Sequence, residues 1–172
     1  MEEPVVDIIM ATYNGAKYVS EQIESIQRQS YKNWRLLISD DCSSDATLDI
    51  VRSYTKSDDR IKLISNEVKF GGAMPNFLNA LSKSESSLFM FCDQDDIWLE
   101  DKIKISVEYI TSLENEFGTD KPIFVSSDMK IVDDDLNLLS SSFINYERFG
   151  TKDSSLGHAL IENNVWGCTI IG

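Results

Sequence analysis

Apolar runs and helix-period segments alternate along the first 120 residues of the chain. Four apolar runs have the length of β-strands, and they cover residues 5–11, 35–39, 61–65 and 88–92. The segments between and after them repeat apolar residues every three or four positions, as Val19, Ile23 and Ile26 do in a helix that continues through Ser30. This rhythm predicts an α/β fold with a mostly parallel sheet, in which the wholly apolar run 88–92 is a central strand buried on both faces.

The pattern changes beyond Pro122. Shorter strands are predicted at 123–127, 129–132 and 138–143, a solvated acidic turn at 133–137, a helical turn at 156–161 and a last strand at 165–171. The chain ends inside that last apolar run. We therefore expect the domain to continue beyond Gly172.

Composition excludes several classes of partner. The 172 residues carry 29 acidic and 16 basic side chains, a formal net charge of −13, which repels nucleic acid and anionic lipid. The acidic N-terminus does not resemble a signal peptide, and no apolar run approaches the ~20 residues that span a bilayer. We expect a cytoplasmic protein with no membrane span. Three widely spaced cysteines and the single His158 support neither a zinc site nor a disulfide framework.

Polar residues follow each of the first four predicted strands. They are Thr12-Tyr13-Asn14, Asp40-Asp41, Asn66, and Asp93 with Asp95 and Asp96. In an open parallel sheet, ligands bind outside the carboxyl ends of the strands. The four strand ends therefore predict one binding site.

The acidic cluster after the fourth strand is the clearest chemical signal. Asp93 and Asp95 are two positions apart, so in extended chain their side chains point the same way. Two such carboxylates repel each other unless a cation lies between them, and Mg²⁺ or Mn²⁺ prefers carboxylate oxygens together with phosphate oxygens. This pattern predicts a divalent metal that bridges a diphosphate. The alternative is a solvated acidic turn.

Asp40 and Tyr13 have a plausible role in base recognition. A carboxylate at a strand end can accept the imide N–H of uracil or thymine, and a tyrosine ring can stack on the base. The alternative is that Asp40 or Asp41 caps the following helix, and we expect Asp41 to do so. Asp45, near the start of that helix, is expected to be structural.

The loop before the third predicted helix offers weaker signals. Gly71-Gly72 would let the backbone approach a ligand, and Lys69 would face a phosphate. Asn76 either faces the site or caps the helix. A glycine pair in a loop is more often only a turn.

Four segments together resemble a family 2 glycosyltransferase with a GT-A fold, a Rossmann-like α/β/α sandwich. The segments are ATYNG at 11–15, SDDCSSDAT at 39–47, NEVKFGGAMPNFLNAL at 66–81 and FCDQDDIW at 91–98. The segment FCDQDDIW is most similar to the sequences of bacterial rhamnosyltransferase-like members. The resemblance implies a single GT-A domain over 1–172, with a nucleotide-sugar-binding half at 1–120 and the start of an incomplete acceptor-binding half at 121–172.

The resemblance also implies roles for individual residues. Thr12, Tyr13 and Asp40 would hold the nucleoside, Asp93 would contact the ribose, and Asp95 would coordinate Mn²⁺ or Mg²⁺ under the diphosphate. The whole predicted nucleotide-sugar site is Thr12, Tyr13, Asn14, Asp40, Lys69, Gly72, Asn76, Asp93 and Asp95, with Asp93 and Asp95 as metal ligands.

The implied reaction is sugar transfer with inversion, from a dTDP-rhamnose or UDP-sugar donor to a saccharide or lipid-linked saccharide acceptor, in cell-surface polysaccharide synthesis. A carboxylate general base would deprotonate the acceptor. In the family this base follows a segment matched here by Gly167-Cys168-Thr169, so we expect it beyond Gly172. The full-length protein would then work at the inner face of the membrane.

Two other functions remain open on the residues alone. A HAD-type phosphatase also places two aspartates two positions apart after a strand, but near the chain start and with Thr or Val where Ile97 stands here. A non-catalytic nucleotide-sugar-binding or assembly module would need no base at all. A dinucleotide-binding oxidoreductase is disfavoured because no GxGxxG follows the first strand.

Overall fold

The computed structural model describes residues 3–64, 66, 68–146 and 167–172, and contains a six-stranded sheet and a separate hairpin. The strands are β1 (Val6–Thr12), β2 (Trp34–Asp40), β3 (Ile61–Ile64), β4 (Leu88–Cys92), β5 (Val125–Ser126), β6 (Ile131–Val132), β7 (Leu138–Ser140) and β8 (Ile170–Ile171). The helices are α1 (Val19–Gln27), α2 (Thr47–Ser57), α3 (Ala73–Leu81), α4 (Lys102–Phe117) and α5 (Phe143–Tyr146), and a 3₁₀ turn covers Gly167–Thr169.

The sheet is parallel in its first four strands. Its order is β3-β2-β1-β4-β8-β5, and β8 runs antiparallel to both of its neighbours. β6 and β7 pair with each other outside this sheet. The predicted α/β class and the mostly parallel sheet are confirmed.

Successive side chains of each strand point to opposite faces of the sheet, so the core forms two layers, one on each face. Ile8 and Met10 of β1 are fully buried in the larger cluster, which also takes in Ile23 of α1 and Ile103 of α4. Ile9 points to the other face. There it packs in a smaller cluster with Leu37 of β2 and Ala80 of α3. Helices therefore cover both faces, as the predicted sandwich requires.

The first half of the chain follows the pattern closely. β1 is shifted by one residue and β2 is longer by one residue at each end, whereas β3 begins at the predicted residue 61 and β4 spans the predicted 88–92. On its second face Phe89 and Phe91 are half-buried rather than fully buried, and their rings meet edge to face at 5.3 Å. α1 ends at Gln27, before the predicted Ser30, because Ser30 N–H turns away to donate to the Glu100 carbonyl at 2.8 Å.

The second half departs further from the prediction. Its strands are only two or three residues long, and the predicted strand end at residue 143 is the start of α5 instead. The cause is Asp128, whose carboxylate accepts the backbone N–H groups of Phe143 and Ile144 at 3.0 and 3.2 Å and so starts a helical turn. The predicted helical turn at 156–161, His158 and residues 165–166 lie outside the described residues. Within the described part of the chain, no helix combines the length and apolar character needed to cross a membrane.

A buried ion pair holds the sheet at the end opposite to the carboxyl ends of the strands. Asp7 of β1 lies in register with Arg35 of β2, has no exposed surface, and accepts two hydrogen bonds from the guanidinium at 2.7 and 2.9 Å. Ser84 Oγ donates to the same carboxylate at 2.7 Å. Burial by itself would raise the pKa of Asp7, but the hydrogen bonds from Arg35, Ser84 and the Glu85 backbone outweigh it and lower the pKa.

We predict that Asp7→Asn lowers the free energy of unfolding by about 2–3 kcal/mol, because it leaves Arg35 without its buried partner. Urea unfolding at neutral pH measures this loss. Because the folded pKa of Asp7 is below the ordinary value of 3.8, the wild-type advantage is present above that pH and disappears as the pH falls through the lowered pKa.

Glu85→Gln is the matched control. Glu85 also pairs with Arg35, but at 3.7 Å and with 84% of its side chain exposed, so its loss should cost less than about 0.5 kcal/mol. Equal losses for the two variants would contradict the view that the buried pair holds the sheet.

Candidate functional site

A cleft of about 680 Å³ lies at the carboxyl ends of the parallel strands. It brings together most of the predicted site residues, which are Thr12, Tyr13, Lys69, Gly72, Asn76, Asp93 and Asp95. The lining also includes residues that the sequence did not single out for the site, among them Asp41, Phe77 and Gln94. Residues from β1, the segment before α3, α3 itself and the loop after β4 thus meet in one place.

Asn14 and Asp40 are predicted site residues that do not line this cleft. Asp40 is buried, and its carboxylate accepts hydrogen bonds from Thr12 Oγ1 at 2.8 Å and from the N–H and hydroxyl of Ser43 at 2.7 and 2.6 Å. The side-chain oxygen of Asn14 accepts the N–H of Ser44 at 2.8 Å. Both side chains join the loop after β1 to the loop after β2.

Asp41 faces the cleft, and the prediction that it caps α2 is wrong. Its carboxylate accepts the backbone N–H groups of Phe70 and of Gly71, the latter at 3.0 Å. Cys42, with φ of 59°, turns the chain directly after Asp41. At the start of α2, Asp45 accepts the N–H of Thr47 at 3.0 Å, which agrees with its expected structural role. The sequence contained a signal for this outcome. Because adjacent residues of an extended chain point to opposite sides, only one of Asp40 and Asp41 can face the cleft.

Asn76 is a buried residue of the first turn of α3 that faces the cleft. Its amide donates to the carbonyls of Thr12 and Ser39 at 3.2 and 2.9 Å, and its oxygen accepts the Ser39 hydroxyl at 2.5 Å. Its side chain lines the cleft, but these hydrogen bonds join it to the ends of β1 and β2, so a role toward a ligand stays a prediction. Asn66 lies outside the cleft lining and donates to Ser39 Oγ at 2.8 Å. These amides fix the start of α3 against the ends of β1 and β2.

Lys69 brings positive charge to the cleft lining. Its ammonium donates to the Tyr13 hydroxyl at 2.8 Å and lies 4.1 Å from the centre of that ring. The hydrogen bond to Tyr13 raises the pKa of Lys69, so the side chain is charged at neutral pH. Lys69 is exposed and is free to turn toward an anion in the cleft.

Negative charge is concentrated on the loop after β4. Burial and the nearby charge of Asp95 raise the pKa of Asp93. Burial and the charge of Asp93 raise the pKa of Asp96 to about 6. These shifts measure the cost of holding the carboxylates together in a partly desolvated site.

Asp96, which also follows β4, belongs to this cluster together with Cys168, which the sequence did not place there. One carboxylate oxygen of Asp93, one of Asp96 and the thiol sulfur of Cys168 all lie within 4.8 Å of one another. The pKa of Cys168 is raised by burial and by the two carboxylates, so the thiol is protonated. Cys168 arrives from a distant part of the chain because β8, directly after it, pairs with β4. The family resemblance singled out Gly167-Cys168-Thr169 as the segment before the general base, but the contact of Cys168 with the acidic loop depends on that strand pairing.

Buried polar residues of α1 and of the turn directly after it hold the chain that follows the acidic loop. Ser25 Oγ accepts the N–H of Trp98 at 3.0 Å. Gln29 accepts the N–H of Ile103 at 3.1 Å and donates to the Leu99 carbonyl at 2.8 Å. The acidic loop is therefore anchored on both sides, by β4 before it and by α1 after it.

The chain is similar in sequence to known glycosyltransferases. The sequence model of glycosyl transferase family 2 matches residues 7–153. The UDP-Glc:alpha-D-GlcNAc-diphosphoundecaprenol beta-1,3-glucosyltransferase WfgD of Escherichia coli is 39% identical over 107 residues, which are 62% of this chain and 41% of WfgD. The dTDP-rhamnosyl transferase RfbG of Shigella flexneri is 39% identical over 103 residues, which are 58% of this chain and 36% of RfbG.

A solved structure shows the same fold. The mannosyltransferase PcManGT from Pyrobaculum calidifontis, in complex with GDP-Man and Mn²⁺, superposes with a TM-score of 0.58 at 23% identity, over 64% of this chain and 33% of that one. This chain spans about two fifths of the length of the curated relatives named here. Because the family match covers most of its residues, the chain belongs to glycosyl transferase family 2.

Proposed function

We propose that this chain forms the donor-binding part of a glycosyltransferase that moves a sugar, with inversion, from a nucleotide diphosphate donor to a saccharide acceptor in cell-surface polysaccharide synthesis. The observation that carries the proposal is the single cleft in which Asp93 and Asp95, Lys69 and Tyr13 meet. It offers groups for a metal, for phosphates and for a base within the span of one nucleotide. The names of WfgD and RfbG support UDP-linked or dTDP-linked donors.

We propose that Asp93 and Asp95 hold a divalent cation, Mn²⁺ or Mg²⁺. Their carboxylates line the cleft, where burial and the nearby charge of Asp95 raise the pKa of Asp93. Hard oxygen donors with room for phosphate oxygens suit these cations, so the residues present fit the metal. When bound, the cation supplies charge neutralisation for the departing nucleoside diphosphate. The Mn²⁺ in the PcManGT complex supports the same assignment.

Two further groups would receive the phosphates. The N-terminal end of α3 opens onto the cleft at Gly72 and Ala73, and unpaired N–H groups of a helix N-terminus favour anions. Lys69 would leave the Tyr13 hydroxyl for a phosphate oxygen, a stronger and fully charged partner. That exchange would also uncover the face of the Tyr13 ring for the base.

For the imide N–H of uracil or thymine, the lining of the cleft favours Asp41 over the predicted Asp40. Both carboxylates accept hydrogen bonds from neighbouring loops, but only Asp41 lines the cleft. Asp41 lines the cleft with Tyr13, so both could contact the same base. We propose that Asp41 reads the base, whereas Asp40 holds the loops that surround it.

Several expectations remain predictions. These are the general base and acceptor-binding residues beyond Gly172, the acceptor-binding role of residues 121–172, a saccharide or lipid-linked saccharide acceptor, and a location in the cytoplasm. The family membership removes the HAD-type phosphatase alternative. A non-catalytic assembly module is separated from the proposal because its assembly role should survive the loss of Asp95, whereas metal-dependent nucleotide binding should not.

We predict that UDP or dTDP binds the chain more tightly with Mn²⁺ present than without it, and that Asp95→Asn weakens the Mn²⁺-dependent affinity roughly 10-fold to 100-fold. The reason is the loss of one charged ligand oxygen beneath the diphosphate. Isothermal titration with each nucleotide, with Mn²⁺ and with EDTA, measures the effect.

Asp135→Asn is the control, because it removes the same charge from an exposed residue of the turn before β7. It should leave nucleotide affinity unchanged. If wild-type chain binds both nucleotides equally well with and without Mn²⁺, the metal assignment is wrong, and if it binds neither nucleotide, the proposed function is wrong.

We also predict that Asp41→Asn lowers the ratio of UDP affinity to CDP affinity about tenfold or more, since the asparagine NH₂ can donate to N3 of cytosine, whereas the aspartate carboxylate can only accept, as it would from the N3–H of uracil. Titration of both nucleotides with Mn²⁺ measures the ratio. Asp40→Asn should lower the free energy of unfolding and leave the UDP to CDP ratio near its wild-type value. A shifted ratio in Asp40→Asn, with an unshifted one in Asp41→Asn, would return base recognition to Asp40.

A further inference from the structure

Gln94 lies between the two proposed metal ligands and makes a two-point contact with another loop. Its side-chain oxygen accepts the backbone N–H of Tyr13 at 3.0 Å, and its side-chain nitrogen donates to the Tyr13 carbonyl at 3.2 Å. The side-chain amide therefore pairs with Tyr13 as a neighbouring strand would. Tyr13 and Gln94 are 81 positions apart in the sequence.

This contact continues the sheet where its ladder stops. The parallel pairing of β1 with β4 ends at Met10 and Cys92. Beyond that point the two strands diverge, and Tyr13 has no strand partner on the side of β4. Gln94 supplies the missing donor and acceptor from its side chain, which satisfies backbone groups that would otherwise need water.

The loop after β1 is shaped to receive this amide. A Cβ at Gly15 would lie 2.2 Å from the Gln94 side-chain oxygen and 2.5 Å from its amide carbon. Gly15 is buried, and its N–H donates to Thr47 Oγ1 at 2.8 Å, so the loop is held on its other side and has little freedom to move away. Glycine at position 15 is thus needed for the close approach of Gln94.

We propose that Gln94 is a positioning residue that couples the nucleoside-binding loop to the metal-binding loop. The inference rests on the proposed function, because it assigns Tyr13 to the base and Asp93 and Asp95 to the metal. One nucleotide must contact both loops at once. A clamp that sets their separation beforehand removes the ordering cost that binding would otherwise carry, so that metal and nucleoside strengthen each other's binding.

The chemistry requires a neutral amide of this length. Glutamate has no N–H for the Tyr13 carbonyl and would add charge between Asp93 and Asp95. Methionine has nearly the same length but offers neither hydrogen bond. Gln94→Met therefore removes the clamp without adding charge or leaving a large space.

The test is the factor by which Mn²⁺ raises UDP affinity, measured by titration calorimetry with Mn²⁺ and with EDTA. Loss of two hydrogen bonds in Gln94→Met should reduce this factor roughly tenfold. Gln27→Met is the matched control, since Gln27 is also half-buried and donates one side-chain hydrogen bond, to Asp58 at 3.1 Å, away from the cleft lining. A purely structural role for Gln94 would lower the unfolding midpoint and leave the Mn²⁺ factor at its wild-type value, which would overturn the proposal.

A double substitution tests the contact itself. Gly15→Ala should reduce the Mn²⁺ factor in the wild-type background, because the new Cβ collides with the Gln94 amide. In the Gln94→Ala background the same change should have little further effect, since the colliding atoms are gone. Independent effects of the two substitutions would contradict the inference.

Hydrogen exchange of the Tyr13 amide separates this proposal from the proposed function. Without any nucleotide, Gln94→Met should accelerate that exchange at least about fivefold, and Gln27→Met should not change it. Unchanged exchange in Gln94→Met overturns the clamp even if nucleotide binds. Suppose that exchange is faster in Gln94→Met than in the wild type, but that the wild-type chain binds neither UDP nor dTDP. The clamp then exists and the proposed function is wrong.

Discussion

The parallel pairing of β1 with β2 on one side and β4 on the other is the constraint on which the cleft depends. Backbone register places Thr12 beside Asp40 and Met10 beside Cys92, so the polar residues that follow all three strands emerge at one edge. Parallel strands require crossover helices, and these helices bury the faces of the sheet and leave its carboxyl edge open. The cleft is a direct consequence of this topology.

The edge remains ordered because its polar groups are satisfied within the protein. Asp40 and Asn76 are buried, and each receives or donates several hydrogen bonds to neighbouring strand ends and loops. A buried polar group left without a partner would destabilise the fold by more than one hydrogen bond stabilises it. The loops around the cleft are therefore held by side chains, and the exposed Lys69 and Asp95 are left for ligands.

The sequence pattern was most successful where structure is local. Four strands and four helices of the first half follow from apolar periodicity, because each buries its own face against a layer of the core. The pattern failed where the formation of an element depends on a partner elsewhere in the chain. Short strands such as β5 depend on a partner, here β8, and α5 depends on a cap from Asp128, fifteen positions earlier. Neither partner is visible in a local window of sequence.

The sequence by itself determined the fold class, the edge of the sheet at which a ligand would bind, and most of the residues that line the cleft. Only the tertiary structure decided that Asp41 rather than Asp40 faces the cleft, that Cys168 joins Asp93 and Asp96, and that Gln94 pairs with Tyr13. The physical reason is that hydrophobic periodicity orients side chains within helices and strands. In loops, by contrast, orientation is set by hydrogen bonds to groups far away in the chain.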